Sequence, residues 1–274
     1  MPELPEVETI KNYIKPIIEG NSFTDSQIYN RKLRINIPDK FPEIILNHKI
    51  ISVVRKAKYI VINLSNNTSI LIHLGMTGKI TIFDNKPQKN KHDHVILRLS
   101  SNQYFCFNDQ RKFGLITYHQ SDSLNQTKFF SHLGIEPLSD AFNGKYLKKI
   151  IQNKEVEIKK FIMEQKNIVG VGNIYAAEAL FSSKINPMTP ANKLSVKKCE
   201  ELCRNIKLIL QRAIEKGGST IKDYKSADGN QGYFQYEFNV YGRENKPCKA
   251  CQTLIKRVSQ GGRSTFYCSK CQKK

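Results

Sequence analysis

Four of the seven cysteines stand in two close pairs, Cys248-Lys-Ala-Cys251 and Cys268-Ser-Lys-Cys271, separated by sixteen residues. Two Cys-x-x-Cys knuckles at this separation offer a tetrahedral set of thiolates, the closed coordination of structural zinc. Sulfur fills all four positions, so no place is left for a metal-bound water. One zinc ion per chain is therefore expected to hold shape without performing catalysis. The stretch between the knuckles is long enough for one β-hairpin turning at Gln260-Gly261-Gly262, and it carries Lys256, Arg257 and Arg263. An odd cysteine count with close pairs fits reduced thiols better than a disulfide framework.

The remaining chain changes texture twice. Over residues 3–20, Leu4, Val7, Ile10, Ile14, Ile17 and Ile18 fall near helical spacing, with Pro5 in the opening turn and Gly20 at the close. This predicts a helix bent at Pro16. From about 22 to 120 the pattern becomes short β-branched runs at 51–55, 59–64, 69–73, 79–83, 94–99 and 104–107, broken by turn residues, and predicts a β-sandwich or barrel. Residues 121–140 read as a linker, with Ser139-Asp140 as a helix start. Helical patterns follow at 143–153, 157–165 and 174–182. The strongest runs from Ser195 to Lys216, where Cys199, Leu202, Cys203, Ile206, Ile209, Leu210, Ala213 and Ile214 form one stripe closed by Gly217-Gly218. Cys199 and Cys203 are thereby expected as core residues. The fold class is α+β and multidomain, although 274 residues alone suggest about two domains.

The chain has 44 Lys plus Arg against 24 Asp plus Glu, a net charge of +20, which points to a polyanionic partner. It lacks a long uncharged apolar run and a leader-like N-terminus, so a soluble, cytoplasmic protein with no membrane partner is expected. Removal of Met1 would leave Pro2 as a secondary amine, whose attack on a sugar C1′ gives an iminium that is cationic without a proton. The start of a helix favours the neutral, nucleophilic amine. Glu3 and Glu6 share one helical face beside it, where a carboxyl could shuttle protons. Lys58 enters a strand from a basic turn. His73 and Met76, like Arg111 and Phe113, sit at strand-to-loop junctions. Lys91-His92-Asp93-His94 reads either as a metal pair or as a phosphate donor centred on His92. A glycine-rich turn spans Ile168-Val-Gly-Val-Gly-Asn-Ile174, and residues 219–238 read as a long functional loop.

Taken in order, Pro2-Glu-Leu-Pro-Glu-Val-Glu8, Lys58-Tyr59, His73-Leu-Gly-Met76, Lys91-His-Asp-His94, Arg111-Lys-Phe-Gly114, His132-Leu-Gly134, Glu136-Pro-Leu138, Gly170-Val-Gly-Asn-Ile-Tyr175 and Gly262-Arg-Ser-Thr-Phe-Tyr-Cys268 resemble the signatures of the formamidopyrimidine-DNA glycosylases across the whole chain. The resemblance implies an N-terminal helix plus β-sandwich over 1–130, a helix–two-turn–helix domain over 131–238 with a lesion loop near 219–238, and a zinc finger over 239–274, with DNA crossing between the two halves. It implies Pro2 as the Schiff-base nucleophile, Glu3 as acid/base, Lys58 as proton donor in β-elimination and Arg263 as the phosphate grip for δ-elimination. His92, Arg111, Lys154 and Asn173 would contact DNA, and Met76, Arg111 and Phe113 would fill the gap left by a flipped base. The implied activity is removal of oxidised purines from double-stranded DNA and strand cleavage, by a monomer with one zinc and no redox cofactor. The alternatives are an endonuclease VIII-like enzyme for oxidised pyrimidines and a lesion-binding protein without catalysis.

Overall fold

In the computed structural model, which describes residues 2–219 and 233–273, the first element is helix α1 (Leu4–Ile18). Its buried face is the expected one, and Pro16 lies in its last turn without ending it. β1 (Phe23–Ile28), the short α2 (Phe41–Ile45) and seven further strands follow: β2 (Ile50–Lys56), β3 (Tyr59–Leu64), β4 (Thr68–His73), β5 (Gly78–Phe83), β6 (Asp93–Leu99), β7 (Tyr104–Asp109) and β8 (Leu115–Gln120). They form two antiparallel four-stranded sheets, ordered β1-β6-β7-β5 and β2-β3-β4-β8. One core joins Val7, Ile10, Ile14 and Ile18 of α1 to Phe23, Ile62, Ile72, Phe105 and Phe107 of the sheets. The sandwich is thus sealed by the helix whose N-terminus carries Pro2.

Six strands follow from the sequence pattern, and β1 and β8 do not. β1 buries only Phe23 fully, and β8 buries the continuous run Leu115, Ile116 and Thr117 instead of alternate residues. Neither has the period of a half-buried strand.

A second unit begins at residue 132 and holds α3 (Gly144–Ile151), α4 (Ile158–Met163), α5 (Asn173–Ser182), α6 (Val196–Glu215) and the hairpin β9 (Lys256–Gln260)–β10 (Arg263–Tyr267). The expected helix start at Ser139-Asp140 is displaced to Asn143. The Asn143 side chain accepts the Tyr146 N–H at 3.0 Å, whereas the Ser139 hydroxyl turns back to the Glu136 carbonyl. α6 begins as expected, with the Ser195 hydroxyl oxygen accepting the Lys198 N–H. Cys199 and Cys203 are buried in its stripe, and burial pushes the Cys203 thiol up to about 12. The hairpin turns at Gly261 and Gly262, both with positive φ (58° and 72°), a turn that glycine allows without strain. Residues 239–273, expected as a domain of their own, pack inside this second unit, while residues 217–219 belong to the first.

Of the expected loop over 219–238, residues 220–232 lie outside the described residues, and Phe234–Glu237 form a 3-10 turn. Among the described residues no helix is long and apolar enough to cross a membrane.

The sandwich core should be intolerant of truncation. Phe105, 1% exposed and edge-on to Phe23 at 6.1 Å, is expected to cost about 3–5 kcal/mol as Phe105→Ala. Ile51→Ala, on the exposed part of β2, should cost under about 0.5 kcal/mol. Urea unfolding of the two variants checks the contrast.

Candidate active site and nucleic-acid interface

Pro2 is buried immediately ahead of α1, whose N-cap is Glu3. Glu3 and Glu6 are 3% and 2% exposed, so both carboxyls lie out of bulk water. Glu6 is the hub: its Oε2 accepts the Glu3 N–H at 2.8 Å, and its Oε1 accepts both the N–H and the hydroxyl of Ser219 at 2.9 Å. Gly218 makes this closure feasible. Its φ is +79°, and a Cβ there would come within 3.2 Å of the Glu6 side chain. Ser219 was not legible as a site residue, because Gly217-Gly218 is fully accounted for as a helix terminator.

Lys58, 6% exposed, occupies the two-residue turn between β2 and β3. Its neighbour Ala57 has φ +53°, an unfavourable conformation for a residue with a Cβ. Arg55 holds this turn, since its Nη1 donates to the Ala57 carbonyl at 3.0 Å and its Nε pairs with Glu8 on α1 at 2.6 Å. The turn bearing Lys58 and the helix bearing Pro2 are therefore fastened to one another. His73, at the end of β4, stacks edge-on against Tyr59 at 4.9 Å. Burial, with Arg34 and Lys58 nearby, holds its imidazole down at about 4. The neutral ring accepts the Gly75 N–H at Nδ1.

Met76, Arg111 and Phe113 come together, as expected, on two adjoining loops. Phe113 is 46% exposed, and the Arg111 guanidinium lies over its ring at 4.6 Å. A cavity of about 310 Å³ beside them is lined by Arg34, His73, Gly75, Met76 and Phe113. His92 lies in a separate cleft with Lys89, Lys91 and Lys112, which fits its reading as a phosphate donor. Among the described residues, no cluster of metal-ligating side chains involves His92 or His94.

In the second unit Asn173 opens α5 directly after the glycine turn, where Gly170 has φ +78°. Gln165 pins that turn by accepting the Gly170 N–H at 2.8 Å and donating to the Val171 carbonyl. The Asn173 side chain, expected as a phosphate ligand, is engaged within the protein. Its Oδ1 accepts from Lys159 Nζ at 2.7 Å, and its Nδ2 donates to the Ser264 carbonyl at 3.0 Å. Lys159, 2% exposed, also donates to Thr265 Oγ1 at 2.6 Å, so it ties α4 to α5 and to the hairpin. Arg263, exposed at the start of β10, shares a cavity of about 250 Å³ with Lys159, Lys160 and Gln260. Lys154 is exposed in the turn after α3. The pattern Ile158-Lys159-Lys160 gave no sign that Lys159, not its neighbour, turns inward.

The sulfurs of Cys248, Cys251, Cys268 and Cys271 all lie within 4.8 Å of one another, with Cys251–Cys268 at 3.4 Å and Cys248–Cys271 at 3.9 Å. Zinc–sulfur bonds of about 2.3 Å in a tetrahedron require sulfurs roughly 3.8 Å apart, so the set fits zinc. Cys248 and Cys268 are fully buried against Ala177, Val240 and Ile255, which roots the knuckles on α5. Glu178 secures the approach: its carboxylate accepts the N–H groups of Asn239, Val240 and Tyr241, each at 2.9 Å.

Family profiles match the chain in three stretches: a formamidopyrimidine-DNA glycosylase N-terminal domain over residues 1–116, a formamidopyrimidine-DNA glycosylase H2TH domain over 133–225, and a zinc finger found in FPG and IleRS over 245–274. The formamidopyrimidine-DNA glycosylase of Wolbachia pipientis wMel is 43% identical over 272 residues, covering 99% of this chain and 100% of the relative. That of Legionella pneumophila strain Paris is 44% identical over 272 residues, covering 99% and 98%. Among solved structures, a Lactococcus lactis FPG mutant bound to Fapy-dG-containing DNA superposes with a TM-score of 0.93 at 28% identity over the full length of both chains. The Lactococcus lactis Fpg bound to DNA with an abasic site gives 0.92 at 28% identity, covering 99% and 100%. With the matched profiles and the full-length relatives in agreement, this chain belongs to the formamidopyrimidine-DNA glycosylase family.

Proposed function

We propose that the protein flips an oxidised purine, 8-oxoguanine or a formamidopyrimidine, out of double-stranded DNA, removes it through a Schiff base on Pro2, and cuts the strand by β,δ-elimination. As a member of its family it is a DNA glycosylase and AP lyase of base-excision repair. The observation that carries the chemistry is the burial of Pro2 beside the Glu3–Glu6–Ser219 cluster.

With Met1 removed, the Pro2 amine attacks the sugar C1′ as the glycosidic bond breaks and the base departs with that electron pair and a proton; the nitrogen then gives up its own proton, and its lone pair expels O4′, which is protonated as the sugar ring opens to the iminium. The resulting iminium draws electrons from C2′, whose proton is then lost. Elimination expels the 3′ phosphate and then the 5′ phosphate. Glu3, out of bulk water, serves as the proton shuttle, and Lys58 supplies the proton in β-elimination. Arg263 grips phosphate. His92, Lys154 and the turn at Asn173 hold the backbone, while Met76, Arg111 and Phe113 fill the vacated stack. Cys248, Cys251, Cys268 and Cys271 hold one structural zinc ion, which shapes the hairpin carrying Arg263. Functionally the chain divides at 1–130, 131–238 and 239–274, the first holding the chemistry, the second DNA and the third the basic finger. It acts as a monomer in the cytoplasm, associated with the nucleoid through DNA.

Borohydride trapping on a duplex with one 8-oxoguanine opposite cytosine should give a covalent adduct at Pro2, stronger than with thymine glycol. Pro2→Gly should slow base removal greatly, and Glu3→Gln should slow it by on the order of 10²–10⁴-fold. Wild-type rates for Pro2→Gly would remove the nucleophile, and an adduct with thymine glycol alone would assign the enzyme to oxidised pyrimidines. Elemental analysis should find one zinc per chain, and Cys268→Ser should lose it together with DNA affinity. DNA binding should weaken with salt, log K falling linearly with log[salt], and Arg263→Ala should reduce that slope by roughly 1.

A further inference from the structure

We propose that Thr77 and Asp109 are positioning residues that clasp the two loops bearing Met76, Arg111 and Phe113, so that the three side chains enter the DNA stack as one rigid element. The inference rests on the gap-filling reading above.

Asp109 ends β7 and is completely buried, yet its carboxylate serves no ion pair within salt-bridge distance among the described residues. It faces the two loops. Its Oδ1 accepts the Thr77 hydroxyl and the Arg111 N–H, and its Oδ2 accepts the Gly114 N–H at 2.7 Å. The Arg111 N–H also donates to Thr77 Oγ1 at 3.0 Å, closing a ring of contacts around the backbone on either side of Lys112 and Phe113. Lys112 has φ +57°, and that costly conformation persists because the carboxylate fixes both flanks of the turn. His94 Nε2 donates to the Asp109 carbonyl at 2.7 Å and anchors the backbone of the clasp itself.

Thr77, 7% exposed, extends the same network to Met76, its neighbour in the chain. The loops also touch directly through their backbones. A Cβ on Gly75 would lie 2.3 Å from the Phe113 carbonyl carbon, and one on Gly114 would lie 2.8 Å from the His73 carbonyl oxygen. Glycine permits the close approach, and the Thr77–Asp109 pair keeps it in register. Thr77→Val retains the shape but removes the hydroxyl, leaving Oδ1 without its strongest donor and Arg111 N–H with the longer contact alone.

A wedge is needed to hold a base out of a duplex, and it is not needed to cleave an abasic site already present in a single strand. Thr77→Val is therefore expected to lower kcat/KM for 8-oxoguanine excision from duplex DNA by about tenfold, the scale of one buried hydrogen bond. Cleavage of a single-stranded abasic oligonucleotide should stay within about twofold on the same reckoning. Thr77→Ser should restore duplex excision, and 2-aminopurine placed beside the lesion should report reduced unstacking with Thr77→Val only. Thr77→Ala carries the same comparison if the valine variant does not fold, with unfolding midpoints measured for each. Met76→Ala and Phe113→Ala separate the two ideas. If they slow duplex excision while Thr77→Val leaves it intact, or slows both substrates equally, the clasp is overturned and the wedge stands. If they leave duplex excision intact, the wedge fails and the clasp falls with it.

Discussion

A carboxylate taken out of water is costly unless donors surround it, and in this chain buried carboxylates gather backbone N–H groups, some from their own turn and some from far along the sequence. Glu6 holds Glu3 and Ser219, Glu178 holds Asn239, Val240 and Tyr241, and Asp109 holds Arg111 and Gly114. Each acid fixes a stretch with no regular ladder of its own: the entry to α1, the approach to the cysteine knuckles, and the Arg111–Phe113 turn. Loss of any one would orphan several buried donors at once, so these segments are held more firmly than their loop character suggests.

What was legible in the sequence was whatever depends on local spacing. The knuckles, the stripe of α6 and the Gly261-Gly262 turn are each set by residues a few positions apart, and the structure has them where the pattern puts them. Ser219, Arg55, Lys159 and Thr77 were not legible, because each acquires its place from a partner brought near only by folding. Gly75 and Gly114 are instructive intermediates. Their presence in His73-Leu-Gly-Met76 and Arg111-Lys-Phe-Gly114 was visible, but only the backbone contact between the loops explains why a side chain would not fit. The shift of the helix start from Ser139 to Asn143 has the same origin: both residues are good caps, and tertiary position chooses between them.

The net charge of +20 does not act uniformly. Arg263 and Lys154 are exposed and suited to meet phosphate, whereas Lys58 and Lys159 are buried, where a charge must be repaid by specific acceptors. Lys159 finds Asn173 Oδ1 and Thr265 Oγ1 and so turns a cation into a structural tie between the glycine turn and the strand that begins at Arg263. That engagement changes how the turn is read. With its side chain committed to Lys159 and Ser264, Asn173 orients the first turn of α5 toward the zinc hairpin. The helix N-terminus and Arg263, not the amide, are then the groups suited to an anion.

Extruding a base costs a few kcal/mol, and the side chains that replace it must not spend a comparable amount on becoming ordered. Immobilising a flexible side chain costs roughly 0.5–1.5 kcal/mol, so three independently mobile wedges would give back much of what they gain. In the proposed gap-filling role, much of that ordering would be done before DNA arrives. Arg111 is stacked over Phe113, and Lys112 between them is held in a left-handed conformation. Gly75 lets the backbone beside Met76 approach that of Phe113, and the two side chains line one cavity. The exposure of Phe113 is a standing cost in water that insertion into an opened stack would recover. A rigid, exposed apolar group gains most where the stack is already weakened, so in the proposed gap-filling role the Arg111–Phe113 platform would favour damaged sites.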